Sequence, residues 1–225
     1  MFSQKTLDFL FENRLRDDKG WFTEHKSTYN EHVLLPLKEL ATALTPAVSA
    51  IDDRIVTTPG VGKTISRIYR DTRFSRDKTI FRDEMWLSFK REKGYPEFFF
   101  ALWPGGLSLG CGYYCAPAET METMRELILQ RDPVFMRACA DYEAQQTFAM
   151  EGERYKRSKY PDQPEHIRSW LDRKTICFTA ESADVSQLFS DALPQTVGKQ
   201  FEKLTSIYRF FLHVEERKWK RPCGG

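Results

Sequence analysis

The stretch that decides the fold runs from Met85-Trp86-Leu87-Ser88-Phe89-Lys90 through Glu97-Phe98-Phe99-Phe100-Ala101-Leu102-Trp103 to Leu107-Ser108-Leu109-Gly110-Cys111-Gly112-Tyr113-Tyr114. These three short runs are rich in aromatic and apolar residues, and Lys93-Gly94 and Pro104-Gly105-Gly106 separate them. Tight turns join neighbouring strands, so the three predict an antiparallel meander. Phe98-Phe99-Phe100 sets aromatic rings on both faces of the middle strand and asks for cover on both. Gly110 and Gly112 weaken an ordinary strand and mark a bulge or a close approach to the backbone.

Helical periodicity surrounds this centre. Ser3 is positioned as an N-cap before Leu7, Leu10 and Phe11, and a polar break follows at Arg16 to Gly20. A longer helix is predicted from about Trp21, with Tyr29, Val33, Leu37, Leu40 and Leu44 on one stripe and Pro36 kinking or splitting it. After Pro117, Met121, Met124, Leu127 and Ile128 share a face, and Asp132-Pro133 reads as a cap and first-turn proline. Glu151 to Pro164 is a polar connection, Pro164 to Leu171 a short helix and Thr175 to Thr179 a short strand. A last helix from about Pro194 carries Val197, Phe201, Leu204, Tyr208, Phe211 and Leu212. The fold class is therefore α+β, a central antiparallel sheet flanked by amino-terminal and carboxy-terminal helices. Residues 1–225 read as a single globular domain with a basic tail from about 215.

Composition bounds the function. The chain has 225 residues, 14% of them aromatic, with 34 basic against 32 acidic side chains and a net charge of +2. Folding at this size hides roughly 70% of the chain's surface, enough for a core without staples. Near-neutrality excludes a nucleic-acid binder that relies on charge over its whole surface. No stretch approaches ~18 uninterrupted apolar residues, so no membrane partner is expected. The amino terminus lacks the apolar region and cleavage site of a secretory signal. The five cysteines form neither a CxxC pair nor a disulfide framework, which points to a reduced, cytoplasmic compartment.

Charge is concentrated in one segment. From Arg67 to Arg82, six basic residues (Arg67, Arg70, Arg73, Arg76, Lys78, Arg82) stand against Asp71 and Asp77, a local balance of +4. Guanidinium forks suit carboxylates and phosphates, and an interleaved aspartate can hold an arginine in place for such a ligand. An internal Arg-Asp network that fastens the loop is the equal alternative. The neighbouring Gly60-Val61-Gly62-Lys63-Thr64 is not a phosphate-binding loop, because Thr57 stands where the first glycine is needed and no helix start follows.

The same segment resembles the uncharacterised family known as domain of unknown function 2461, whose signature reads approximately R-I-x-R-D-x-R-F-S-x-D-K-x-P-Y-K. Arg67, Ile68, Arg70, Asp71, Arg73, Phe74, Ser75, Asp77 and Lys78 match it, and Ile80, Phe81 and Arg82 depart from it. Phe9-Leu10, Asn13, Trp21-Phe22, Tyr29, Pro36 and Leu40 resemble the family's opening, and Gly112, Tyr114 and Pro117 its step out of the sheet. Lys156-Arg157, Tyr160, Pro164 and Leu171 to Lys174 resemble a basic loop that usually carries His-Pro, where this chain has Gln163-Pro164. The resemblance implies an α+β fold but supplies no established activity, substrate or cofactor.

Other motifs add little. His25 and His32 lie seven apart, not at the i, i+4 spacing of a helical zinc pair, and no metal site is expected. Cys111 and Cys115 have no third ligand nearby and read as buried free thiols. Arginine neighbours would keep Asp71 and Asp77 ionised. The expected site is thus Arg67, Arg70, Asp71, Arg73, Ser75, Asp77 and Lys78, with Tyr114, Lys156 and Arg157, lining a pocket for a small anionic or phosphorylated ligand. The alternative is a non-enzymatic interaction domain presenting the segment to a protein or RNA. These residues specify no cofactor, reaction or oligomeric state.

Overall fold

The structure, a computed structural model, describes residues 1–92, 94–113 and 115–219, the side chain of Trp219 excepted. Strands β1 (Ile55–Val56), β2 (Met85–Arg91), β3 (Glu97–Trp103), β4 (Gly106–Gly112), β5 (Ala149–Glu151) and β6 (Cys177–Ser182) form one antiparallel sheet ordered β1-β2-β3-β4-β6-β5. The predicted meander is β2-β3-β4. β1 and β5 have two and three residues, too few to leave an alternating pattern in the sequence.

β4 lies between β3 and β6 and is buried at every position. Its glycine at 112 answers to a close approach, since a Cβ there would lie 2.5 Å from Cys177 Cα. β6 continues to β5, pairing Ala149 with Thr179 and Glu151 with Cys177. Phe98 and Phe100 are fully buried on one side of β3, whereas Phe99 is only half-buried, so the cover is fuller on one face.

The chain divides into two compact units, each drawn from three stretches. Met1–Phe89, Phe99–Leu109 and Glu181–Gln200 make the first; Lys90–Phe98, Gly110–Ala180 and the segment from Phe201 make the second.

In the first unit, α1 (Gln4–Arg16) starts where Ser3 N donates to Thr6 Oγ1 at 3.1 Å. It stops at Asp17, which takes the left-handed conformation (φ 49°) that a short polar side chain tolerates. α2 (Lys19–Glu24) is capped by the Asp18 carboxylate, which accepts from Trp21 N at 2.7 Å. The single helix predicted from Trp21 is instead α2, α3 (Lys26–Tyr29), a π turn at Asn30–Leu34 and α4 (Leu35–Ile51). Pro36 has no N–H for the carbonyl four residues back, His32, and Thr6 Oγ1 donates to that oxygen instead at 2.6 Å. Residues 26–51 are long and apolar enough, by length and composition, to cross a membrane. Their stripe Val33, Leu37, Leu40, Ala41, Leu44 and Val48 is buried in the unit as a core helix requires.

In the second unit, α5 (Ala118–Leu129) and α6 (Pro133–Glu143) follow the sheet, and Asp132 caps α6 through Val134 N at 2.8 Å. α7 (Glu165–Leu171) is the predicted short helix. The single last helix predicted from Pro194 is two, α8 (Leu193–Lys203), which begins in the first unit, and α9 (Thr205–Trp219). Residues 215–219, expected to open a tail, are the end of α9. There Glu215 accepts from Thr120 Oγ1 at 3.0 Å and pairs with Lys218. Lys220 and the residues beyond it lie outside the described chain.

The second unit's core is aromatic. Trp170 meets Phe135 edge-on with centroids 5.4 Å apart, and Phe98 packs against Phe201 (5.0 Å) and Tyr208 (4.8 Å). Each such ring, fully buried, contributes about 1.5–3 kcal/mol.

Candidate functional site

The arginine-rich segment folds as a ribbon in the first unit. Ser66 N donates to Trp86 O and Ser88 N to Thr64 O, so the segment leaves the edge of β2 in extended form. Further out, Arg70 N donates to Ile80 O at 2.8 Å and Arg82 N to Ile68 O at 2.9 Å, which pairs the outgoing and returning arms. Alternation along the outgoing arm buries Ile68, half-buries Arg70 and exposes Arg67, Tyr69 and Asp71. At Thr72 the chain turns, with Ser75 N donating to Thr72 O at 3.3 Å. Phe74, placed by strand periodicity on the Ile68 face, is for that reason 96% exposed.

The interleaved charges mostly hold the ribbon together. Asp77 accepts from Thr79 N (3.0 Å) and Thr79 Oγ1 (2.8 Å), and pairs with Arg70 and with Arg14 of α1 (3.1 Å). The Thr79 N–H and Arg70 hold its carboxyl well below the usual range. Arg73 Nη2 donates to Asp71 at 2.7 Å, and this bond lowers the Asp71 pKa to about 2. Lys78 Nζ donates to Thr72 O at 2.8 Å, crossing the turn. Asp17 at the end of α1 accepts from Ile80 N (2.7 Å) and Phe81 N (3.0 Å), clasping the returning arm. Sequence reasoning missed Arg14 and Asp17, because contacts made 63 residues away leave no local pattern.

The ribbon's cations therefore divide. Arg70, Arg73 and Lys78 are committed to internal partners. Arg82 lies over the Trp86 ring at 4.7 Å. Arg67 rests against Gly62, where a Cβ would lie 2.8 Å from its Nε, and the positive φ of 78° there also suits glycine. Among the described residues, Arg67 and Arg76 face no carboxylate. Both are exposed. Asp71 and Asp77, ionised and ion-paired, are poor proton stores for acid-base chemistry.

Lys156 and Arg157 belong to the second unit, on the exposed connection between β5 and α7. Tyr114 lies outside the described residues. Beside Lys156, the ring of Tyr155 gathers three cations, Lys159 Nζ at 4.1 Å, Arg125 Cζ at 5.3 Å and Lys174 Nζ at 5.8 Å. Cation-ring contacts at partly exposed positions contribute about 0.5–1 kcal/mol each. Backbone bonds from Tyr155 N to Asp172 O (2.9 Å) and from Lys174 N to Glu153 O (2.7 Å) fix the two segments side by side. Beneath them Arg173, 6% exposed, donates to Gly152 O and Met150 O, and burial, then Arg154, lowers its pKa. The loop cations Lys156 and Arg157 were thus visible in the sequence, but the Tyr155 centre was not.

A separate groove of about 790 Å³ in the second unit, lined by Arg137, Asp141, Glu202, Lys203, Ser206 and Arg209 among others, contains none of the expected site residues. Among the described residues no group of three or more His, Cys, Asp or Glu side chains could hold a metal ion. His25 instead stacks on Trp21 at 4.1 Å. Cys111 is buried as expected, while Cys115 is exposed.

The model of the family described as "Conserved hypothetical protein (DUF2461)" matches residues 5–210. The chain belongs to this family. The DUF2461 match takes in the whole ribbon and the Tyr155 connection. No curated protein matches the chain.

Proposed function

We propose that this DUF2461 protein is a non-enzymatic interaction domain that docks the ribbon tip on an anionic partner, single-stranded RNA being the class that suits it. The carrying observation is Phe74, 96% exposed at the turn, with the Arg73 guanidinium 5.9 Å from its ring. Unpaired bases stack on aromatic rings and guanidinium planes, and free arginines such as Arg67 and Arg76 take phosphates. The Asp71 and Asp77 pairs support this reading by stiffening the turn that carries the ring. A reduced, cytoplasmic setting belongs to the proposal and agrees with the free thiols of Cys111, Cys115, Cys139 and Cys177.

Fluorescence anisotropy with a labelled oligouridine tests it. Binding should weaken with salt, with a log-log slope near about −1.4 for two phosphate contacts. Phe74→Ala should weaken it by about tenfold, within the range for losing one stacked base. Wild-type protein that fails to bind at low salt, or Phe74→Ala binding as tightly as wild type, rejects the proposal.

A small anionic ligand at the same segment is the second reading, favoured by the uncommitted guanidiniums of Arg67 and Arg76. It predicts a rise in melting temperature with sugar phosphates that Arg76→Ala removes.

A further inference from the structure

We infer that the Tyr155 cluster of the second unit is a separate binding site for a phosphate group. Three cationic centres lie within 5.8 Å of one ring centroid. Of these, among the described residues, only Lys174 is paired with a carboxylate, Glu153. Arg125 is held by two backbone carbonyls, Nε to Leu171 O at 3.1 Å and Nη2 to Arg173 O at 2.6 Å. Those bonds orient the guanidinium without neutralising it, and three of its five N–H groups remain for a ligand. Lys159 is placed through its main chain, whose N–H donates to Asp172 Oδ1 at 3.1 Å, and its ammonium has no carboxylate partner among the described residues.

The surroundings add positive field. Arg154 and Arg173 sit opposite each other as bridge partners, and Arg173 Nη1 and Nη2 donate to the Gly152 and Met150 carbonyls while its Nε is buried without a hydrogen-bond partner among the described residues. Lys156 and Arg157 continue the charge into solvent. Like charges collected on one ring repel, and the ring's quadrupole offsets only part of that repulsion. A dianion removes it. A phosphoryl group suits this chemistry, since its oxygens accept from guanidinium N–H groups and from ammonium groups. The site is independent of the ribbon, and its failure would leave the docking proposal standing.

The test is calorimetric titration of the full chain with inorganic phosphate and with glucose 6-phosphate, against sodium chloride of equal ionic strength. Saturable binding of either phosphate is expected, tighter for the ester if the natural ligand is a phosphomonoester. Lys159→Glu, a change at an exposed side chain that touches the Tyr155 ring and has no carboxylate partner among the described residues, should weaken binding at least tenfold. Tyr155→Phe should weaken it less, because the ring stays and only a hydroxyl is lost. Arg76→Ala should leave it unchanged. No saturable binding by wild type, binding by Lys159→Glu equal to wild type, or loss in Arg76→Ala instead would overturn the assignment.

Discussion

Asp71 and Asp77 illustrate what single residues contribute. Both carboxyls ionise more readily in the folded chain than the ~3.9 of an unfolded aspartate. Their links to Arg73 and Arg70 are therefore complete above about pH 4 and are lost as pH falls through the folded values, about 2 for Asp71 and lower for Asp77. The carboxyl carbon resonance of Asp71 should titrate near pH 2; a midpoint near 3.9 would dissolve the pairing. Gly112 shows the opposite kind of constraint, steric instead of electrostatic. Gly112→Ala sets a methyl 2.5 Å from the Cys177 backbone, and a loss of about 3 kcal/mol is expected in chemical denaturation. A loss below about 0.5 kcal/mol, the scatter of neutral surface changes, would mean that the strands part easily.

At the scale of elements, the ribbon is held more by α1 than by its own ion pairs. Asp17 accepts two backbone N–H groups of the returning arm, whereas the Arg73–Asp71 pair is exposed on both sides. Asp17→Ala strands both donors and places alanine at a positive φ, so about 2–3 kcal/mol should be lost. Asp17→Asn, which keeps an accepting oxygen, should recover most of it. Arg73→Ala should leave the denaturation midpoint close to wild type, because solvent screens an ion pair exposed on both sides. A larger effect from Arg73 than from Asp17 would reverse this ranking. The segment's charge was legible in the sequence because composition is local. Its division into committed and free cations was not, since Arg70 meets Asp77 only after the Thr72 to Ser75 turn closes.

Over the whole molecule, the aromatic content serves two purposes. Trp170 is 1% exposed amid Phe135, Tyr142, Phe178 and Phe210, and Trp170→Ala should cost about 3–5 kcal/mol. Phe74 is 96% exposed, so Phe74→Ala should leave the melting temperature within a degree or so of wild type while altering binding. A large destabilisation by Phe74→Ala would mean that the ring is packed and the docking reading mistaken. Two other departures arise at this scale. The break between α8 and α9 at Leu204 interrupts an apolar stripe that continues through it, so periodicity alone reads one helix. The π turn before Pro36 depends on Thr6 supplying the donor that proline lacks.

The sequence by itself determined the α+β class, the β2-β3-β4 meander, the capped helices and the place where positive charge collects. Each of these follows from alternation, helical period or composition over a few neighbouring residues. The tertiary structure alone decided that β6 inserts beside β4, that Arg14 and Asp17 anchor the ribbon, that Phe74 faces solvent and that three cations share the Tyr155 ring. Such contacts join residues far apart in the chain, and side chains brought together by folding leave no spacing rule behind.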